Sequence, residues 1–168
     1  MATREIELGF ARFGDAEAMA MMSRDLIEAG LGWSYRAARI GRLIADPDSV
    51  ALVARDGARP VGFGIMTYAD EHAHLVLLAV TPAHQQRGIG RRMVVWLVDT
   101  ALVAGIASVH VELRADNRPA YALYRSAGFA ETLRIPGYYR GREAAVRMLR
   151  LLRAVDTVAP KWEPPLRG

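Results

Sequence analysis

Val80-Thr81-Pro82-Ala83-His84-Gln85-Gln86-Arg87-Gly88-Ile89-Gly90-Arg91 joins an apolar run to a helical repeat. Downstream of it, Ile89, Met93, Val94, Leu97, Val98, Ala101 and Leu102 recur at spacings of three and four until Gly105, a natural left-handed terminator. Gly88 and Gly90 stand at the join, where glycine permits positive φ and close backbone approach, so several N–H groups can converge on an anion at the positive end of the helix dipole. Arg87, Arg91 and Arg92 crowd the same end, where cations oppose the dipole unless an anion lies among them. No Gly-Lys-Ser/Thr follows, which excludes a P-loop, and Met93 stands where a dinucleotide fingerprint needs its third glycine. Some other phosphorylated ligand is expected.

Before the loop, Ile6, Leu8, Phe10 and Phe13 predict a first strand, and Asp15 is placed to cap a helix carrying Ala18, Met19, Met22, Leu26 and Ile27. A second short helix places Ala37, Ile40, Leu43 and Ile44 on one face before Asp46-Pro47 stops it. Residues 50–54 and 61–68 flank Arg55-Asp56-Gly57 as a hairpin, and residues 74–80 complete an antiparallel meander. After the loop come a strand over 109–113, a helix from Asn117 carrying Ala120, Leu123, Tyr124 and Ala127, and closing strands over 129–135 and 144–152. The order is βααβββαβαββ: an α/β (α+β) fold with a central mixed, mostly antiparallel sheet of about seven strands and about four helices. Residues 1–152 form one domain, and residues 153–168, with Pro160, Trp162, Pro164 and Pro165, form a tail that packs on a neighbour or hangs free.

The 168 residues are 52% apolar and 24% charged, enough to bury a core and too apolar for a disordered chain. There is no cysteine, which excludes a disulfide scaffold, thiolate-ligated metal and any acyl-cysteine route. The net charge of +4 is carried by arginine, Lys161 being the sole lysine, and favours polyanions without choosing among them. The N-terminus lacks a signal-peptide pattern, and the apolar run over 93–104 is broken by Asp99 and short of the ~20 residues that span a bilayer. A cytoplasmic protein with no membrane partner is expected. Nucleic-acid binding has only the charge in its favour, since no zinc-finger or RNP-like signature is present and only the arginines at 87–92 cluster.

Gln85-Gln86-Arg87-Gly88-Ile89-Gly90 resembles the acetyl-CoA pyrophosphate loop of the GNAT N-acetyltransferase superfamily, Gln/Arg-x-x-Gly-x-Gly/Ala. Asn117-Arg118-Pro119-Ala120-Tyr121-Ala122-Leu123-Tyr124, followed by Gly128-Phe129, resembles the superfamily's Asn-x-x-Ala-x-x-Leu-Tyr-x-x-x-Gly-Phe helix. The likeness covers residues 4–152 and includes the element order. Within the superfamily, Val111-Glu112-Leu113-Arg114 and the segment from Tyr138-Tyr139 to Met148 resemble the protein N-terminal acetyltransferases, especially those acting on ribosomal-protein alanine. Ala144 and Leu77 depart from that narrower pattern, which carries polar residues at both places.

The resemblance implies acetyl-CoA as cofactor, CoA as product and direct transfer to a primary amine, expected to be a protein or peptide N-terminus. Small-molecule amines (a polyamine, amino acid or antibiotic) and a silent acetyl-CoA-binding module remain as alternatives. Tyr124 aligns with the acid that protonates the CoA sulfur; a phenol of reference pKa ~10 suits a thiolate of reference pKa ~8.5 when the two are in hydrogen-bond reach. Packing on the core face is its other use. Glu112 aligns with the general base and shares a strand face with His110, while His74 stands where the family often has Glu and offers an imidazole, the usual side chain for general acid–base work. Either residue can instead be an ordinary surface side chain.

Backbone at Leu78, Ala79 and Val80 is implied to bind pantetheine and polarise the thioester carbonyl. The pyrophosphate falls to Gln85, Gln86, Arg87, Gly88, Ile89, Gly90 and Arg91. Asn117 binds cofactor or caps its helix, and Tyr121 lines the cofactor channel or packs. The acceptor amine is flanked by Leu31, Trp33 and Tyr35 from the loop between the first two helices, and by Tyr138 and Tyr139 from the last hairpin; the paired tyrosines can serve as cross-strand packing instead. No metal is implied, and the Trp162 tail makes room for a homodimer.

Overall fold

The computed structural model describes residues 4–153. Trp162 and the prolines of the expected tail lie outside them. Seven strands form one sheet in the order β1-β2-β3-β4-β5-β7-β6. They are β1 (Ile6–Phe10), β2 (Ser49–Asp56), β3 (Arg59–Ala69), β4 (His72–Val80), β5 (Ser108–Arg114), β6 (Ala130–Tyr139) and β7 (Glu143–Leu151). The helices are α1 (Ala16–Met22), α2 (Ala37–Ala45), α3 (Ile89–Val103) and α4 (Arg118–Ser126), so the expected βααβββαβαββ order is present.

All neighbouring strands are antiparallel except β4 and β5, which need a crossover because α3 lies between them in sequence. Their parallel register runs from His72↔Ser108 to Leu75↔Val111 and stops there. Beyond it, residues 76–80 of β4 and 112–114 of β5 no longer pair, which opens a slot in the middle of the sheet.

A bulge in β4 changes what lies beside that slot. Ile65 pairs with Leu77 and Met66 with Leu75, so Val76 is the extra residue. One inserted residue reverses the alternation of a strand. Ala73 and Leu75 therefore pack with Val109, Val111 and Leu113 under α3 and α4, whereas Leu77 and Ala79 pack with Met19, Ile40 and Phe63 under α1 and α2. Two apolar layers result, one on each face of the sheet.

Three local expectations are corrected. Phe13 does not extend β1; it sits in a short turn, 76% exposed. Asp15 does not cap α1 with its side chain. Its carboxylate accepts from the Arg12 N–H at 2.7 Å and from both Arg55 guanidinium nitrogens at 2.9 and 2.6 Å, tying the start of α1 to β2. A charged partner on a neighbouring strand outweighs a cap that earns only about 1 kcal/mol. Finally, α1 does not stay α-helical to Ile27: Ser23–Ile27 widens into a π-turn, a local irregularity common at functional sites.

No helix among the described residues is long and apolar enough to cross a membrane.

Candidate active site

Loop and slot together enclose a cavity of 580 Å³. Of the residues expected to hold cofactor, Leu78, Ala79, Val80, Gln85, Gln86, Gly88, Ile89, Gly90, Arg91, Asn117 and Tyr124 line it. Arg87 and Tyr121 do not. Tyr121 donates its hydroxyl to Glu131 at 2.9 Å, and Arg92, one of the three clustered cations, donates to the Ile6 carbonyl at 3.0 Å. The lining also takes in Leu26 from the π-turn and Pro119 from the start of α4. Leu26 packs with the α1/α2 layer and Tyr124 with the opposite one, so the cavity draws on both faces of the sheet.

The loop's backbone is set by two left-handed residues, Gln86 at φ 59° and Gly88 at φ 76°, the latter serving as N-cap of α3. Gly88 has no neighbour within 4 Å of where a Cβ would stand, so glycine is required there by conformation. At Gly90 space is tight: an added Cβ would lie 2.9 Å from Leu123 Cδ1 on α4, so that side chain would have to shift. The first intrahelical bond runs from Arg92 N–H to the Gly88 carbonyl, leaving the N–H groups of Ile89, Gly90 and Arg91 at a 15-residue helix end. Gln85 is held by its amide donating to the Val80 carbonyl at 2.9 Å, and His84 bridges Thr81 (3.1 Å) and Asp56 (3.2 Å). Unpaired N–H groups, a helix dipole and Arg91 suit the diphosphate of a cofactor such as acetyl-CoA. Asn117 Oδ1 accepts the Ala120 N–H at 3.2 Å and thus caps α4.

Tyr124 is 4% exposed, and burial pushes its phenol well above the usual tyrosine range. It remains a protonated donor at any working pH.

Across the sheet from Tyr124, Glu112 and His110 share the polar face of β5, as their alternation requires. Glu112 accepts from Arg147 Nε at 3.1 Å and from the Tyr139 hydroxyl at 3.4 Å. Burial, then the Glu112 charge, pushes the Tyr139 phenol up to about 12. His74 stacks on His110 with ring centroids 5.1 Å apart. Ser108 Oγ lies 2.7 Å from His72 Nδ1 and 3.0 Å from His110 Nε2. Desolvation and the neighbouring imidazoles lower the pKa of His110. Among the described residues no group of three or more His, Asp or Glu side chains is disposed to hold a metal ion.

A second cavity, 370 Å³, opens beside Tyr139, whose hydroxyl touches Glu112. Leu31 and Tyr139 line it, together with Arg114, Arg140, Arg142 and Glu143. Trp33, Tyr35 and Tyr138 do not. Trp33 anchors the α1–α2 loop by donating to the Ala20 and Tyr35 carbonyls, both at 3.2 Å, and Tyr35 lies under the Arg39 guanidinium at 4.0 Å. Tyr138, 47% exposed, packs edge-on against Tyr139.

Glu28, Arg147 and the cavity arginines were not anticipated from sequence. Glu28 is buried and accepts from Ser23 Oγ at 2.9 Å and from the N–H groups of Ser34 and Tyr35 at 2.7 and 3.1 Å, closing the loop over the second cavity. An acidic residue just before a Gly-rich turn offers no periodicity signal, and its partners lie six and seven residues away.

Residues 19–129 match the Acetyltransferase (GNAT) family. The chain is 34% identical over 144 residues to the N-alpha-acetyltransferase RimI of Mycobacterium tuberculosis, covering 82% of this chain and 87% of that protein. It is 37% identical over 103 residues to the ribosomal protein bS18-alanine N-acetyltransferase of Salmonella typhimurium, covering 60% and 68%. Other matches span less of the relative: 40% of the uncharacterized protein ML0378 of Mycobacterium leprae and 60% of the Escherichia coli bS18-alanine enzyme. The crystal structure of the Escherichia coli ribosomal-protein-S18-alanine N-acetyltransferase superposes with a TM-score of 0.73 at 24% identity, over 92% of this chain and 99% of that one. The yncA protein of Salmonella typhimurium, solved with its cofactor acetyl-CoA, gives 0.77 at 21% identity over 89% and 95%. Glycine-lined loop, open slot and family match agree, and the chain belongs to the acetyltransferase (GNAT) family.

Proposed function

We propose that the chain is an acetyl-CoA-dependent N-acetyltransferase that passes the acetyl group directly to a primary amine at a protein or peptide N-terminus. The observation that carries this reading is the cavity at the β4–β5 slot, lined by the glycine loop at the α3 N-terminus and by the buried Tyr124 phenol. Acetyl-CoA, where bound, supplies an activated thioester. The α3 N-terminus and Arg91 suit its diphosphate, and the backbone of residues 78–80, freed from β5, offers donors along the slot.

The chain's own groups divide the remaining work. Glu112 takes the proton that the attacking amine loses, directly or through one water, with Arg147 and Tyr139 orienting its carboxylate. Tyr124 keeps its proton until a thiolate departs and then donates it. His74, stacked on His110, is the second candidate base. One proton leaves the amine and one reaches sulfur, so no enzyme acyl intermediate is needed, in keeping with a chain that has no cysteine.

The same reading carries a cytoplasmic setting without nucleic-acid or membrane partners. It also admits a homodimer through a tail whose Trp162 lies outside the described residues.

The test is an acetylation screen of peptide N-termini against polyamines, free amino acids and aminoglycosides, with mass spectrometry locating the acetyl group. Acetyl on peptide α-amines supports the reading. Acetyl confined to small molecules replaces the acceptor, and CoA binding without transfer to any amine leaves only a binding module.

A further inference from the structure

The second cavity is strongly basic for its size. Its charged lining is three guanidiniums, Arg114, Arg140 and Arg142, against the single carboxylate Glu143, an excess of two positive charges. Arg114 is already committed: it donates to the Ile27 and Ala29 carbonyls at 3.3 and 2.7 Å and lies 3.4 Å from Glu143. That leaves Arg140 and Arg142, exposed at the β6–β7 turn, with no ion pair among the described residues. Arg140 sits in a left-handed turn at φ 51°, and its guanidinium lies 3.4 Å from where a Cβ on Gly32 would stand, close to the Ala29–Leu31 wall. The neighbouring carboxylate Glu112 is neutralised by Arg147 and does not cancel this field. Tyr139 joins the two regions, its hydroxyl on Glu112 and its ring under Arg114 at 5.7 Å.

We infer that this cavity binds a carboxylate of the acceptor, the side chain of an Asp or Glu close behind the reacting amine, through Arg140 and Arg142. The inference rests on the reading of the chain as an amine acetyltransferase. An extended peptide advances about 3.3 Å per residue, and Tyr139 both touches Glu112 and lines the cavity, so the residues close behind an amine held at Glu112 are the ones that reach it. Guanidinium and carboxylate match as a bidentate pair, and a cavity of 370 Å³ is at the small end of ligand sites, suited to a side chain.

The experiment compares acceptor peptides carrying Asp or Glu at positions two to four with the isosteric Asn, Gln peptides and with Arg peptides, at fixed acetyl-CoA. The expected result is a preference for the acidic peptide of about ten- to hundredfold in kcat/KM, expressed in KM and weakened by salt. In Arg140→Gln and Arg142→Gln the ratio of acidic to amide peptide falls toward one, and the double charge reversal Arg140→Glu with Arg142→Glu turns the preference to Arg peptides. CoA calorimetry on each variant confirms that it is folded. Free aspartate and glutamate form a second arm, separating a peptide side chain from a free amino acid as the source of the carboxylate. Peptides acetylated without regard to charge, or with a preference for Arg in the wild type, overturn the inference while leaving the proposed function intact. Absence of any peptide acetylation beside measurable CoA binding overturns the proposed function and this inference with it.

Discussion

Glu112 on β5 and Arg147 on β7 are directly opposed in the antiparallel register, with Arg147 Nε 3.1 Å from the carboxylate. Both side chains remain partly exposed, at 32% and 48%, so water screens the pair and its consequence is orientation rather than stability. Glu112→Gln is expected to lower kcat by about 10²- to 10⁴-fold across the pH range, with CoA affinity measured by calorimetry unchanged. Wild-type turnover in Glu112→Gln, combined with a lost basic limb in His74→Ala, would move the base to His74.

Tyr124→Phe keeps the ring in the core beside Phe129, whose centroid is 5.5 Å away, and removes only the hydroxyl. We expect kcat to fall by about 10²-fold with CoA affinity little changed. Because burial holds the phenol well above the usual range, Tyr124 gives no titration limb between pH 6 and about 10, and pH–rate profiles of wild type and variant share the same apparent pKa values. Equal turnover in the variant removes Tyr124 from the acid role.

Gly88→Val forces a β-branched residue to φ 76°, at a cost of about 1–2 kcal/mol per residue in the left-handed region. The strain is relieved by re-forming the loop, which disperses the N–H groups at the start of α3. A loss of CoA affinity of at least tenfold by calorimetry is expected, with a modest fall in Tm. Full affinity retained in this variant contradicts a diphosphate site at the α3 N-terminus.

Asp15→Asn breaks the bridge between the α1 entrance and β2 and leaves the Arg55 guanidinium, 22% exposed, without its partner. A destabilisation of about 1–3 kcal/mol by denaturant unfolding is expected. Its pH dependence has a definite sign. The Arg55 hydrogen bonds hold the Asp15 carboxyl below its ordinary 3.8, so the folded state binds fewer protons and the stabilisation is complete above that value. It is lost as pH falls through the folded pKa. The variant therefore differs most from wild type near neutrality and converges on it in acid.

Sequence alone determined the element order, the glycine-lined turn and the identity of Tyr124 and Glu112 as candidate acid and base, because helical and strand periodicity, glycine placement and two long motifs are local signals. The loop residues from Gln85 to Arg91 line one cavity as adjacent positions must, Arg87 excepted. Tertiary structure decided what depends on distant segments meeting. The Val76 bulge and the end of β4–β5 pairing create the slot, and neither leaves a periodic trace, since a one-residue insertion inside an apolar run looks the same as no insertion. Tyr121 and Asn117 were open between cofactor and structure; their hydrogen bonds to Glu131 and to the Ala120 N–H follow from how α4 lies on β6 and how it begins. Trp33 and Tyr35, nominated by the place of their loop in the resembling fold, are bound up in anchoring it: the indole donates to the Ala20 and Tyr35 carbonyls and both rings pack on the α1/α2 layer. The basic cavity is drawn from residues 29–31, 114 and 139–143, three segments whose charges are unremarkable until the fold sets them around one space.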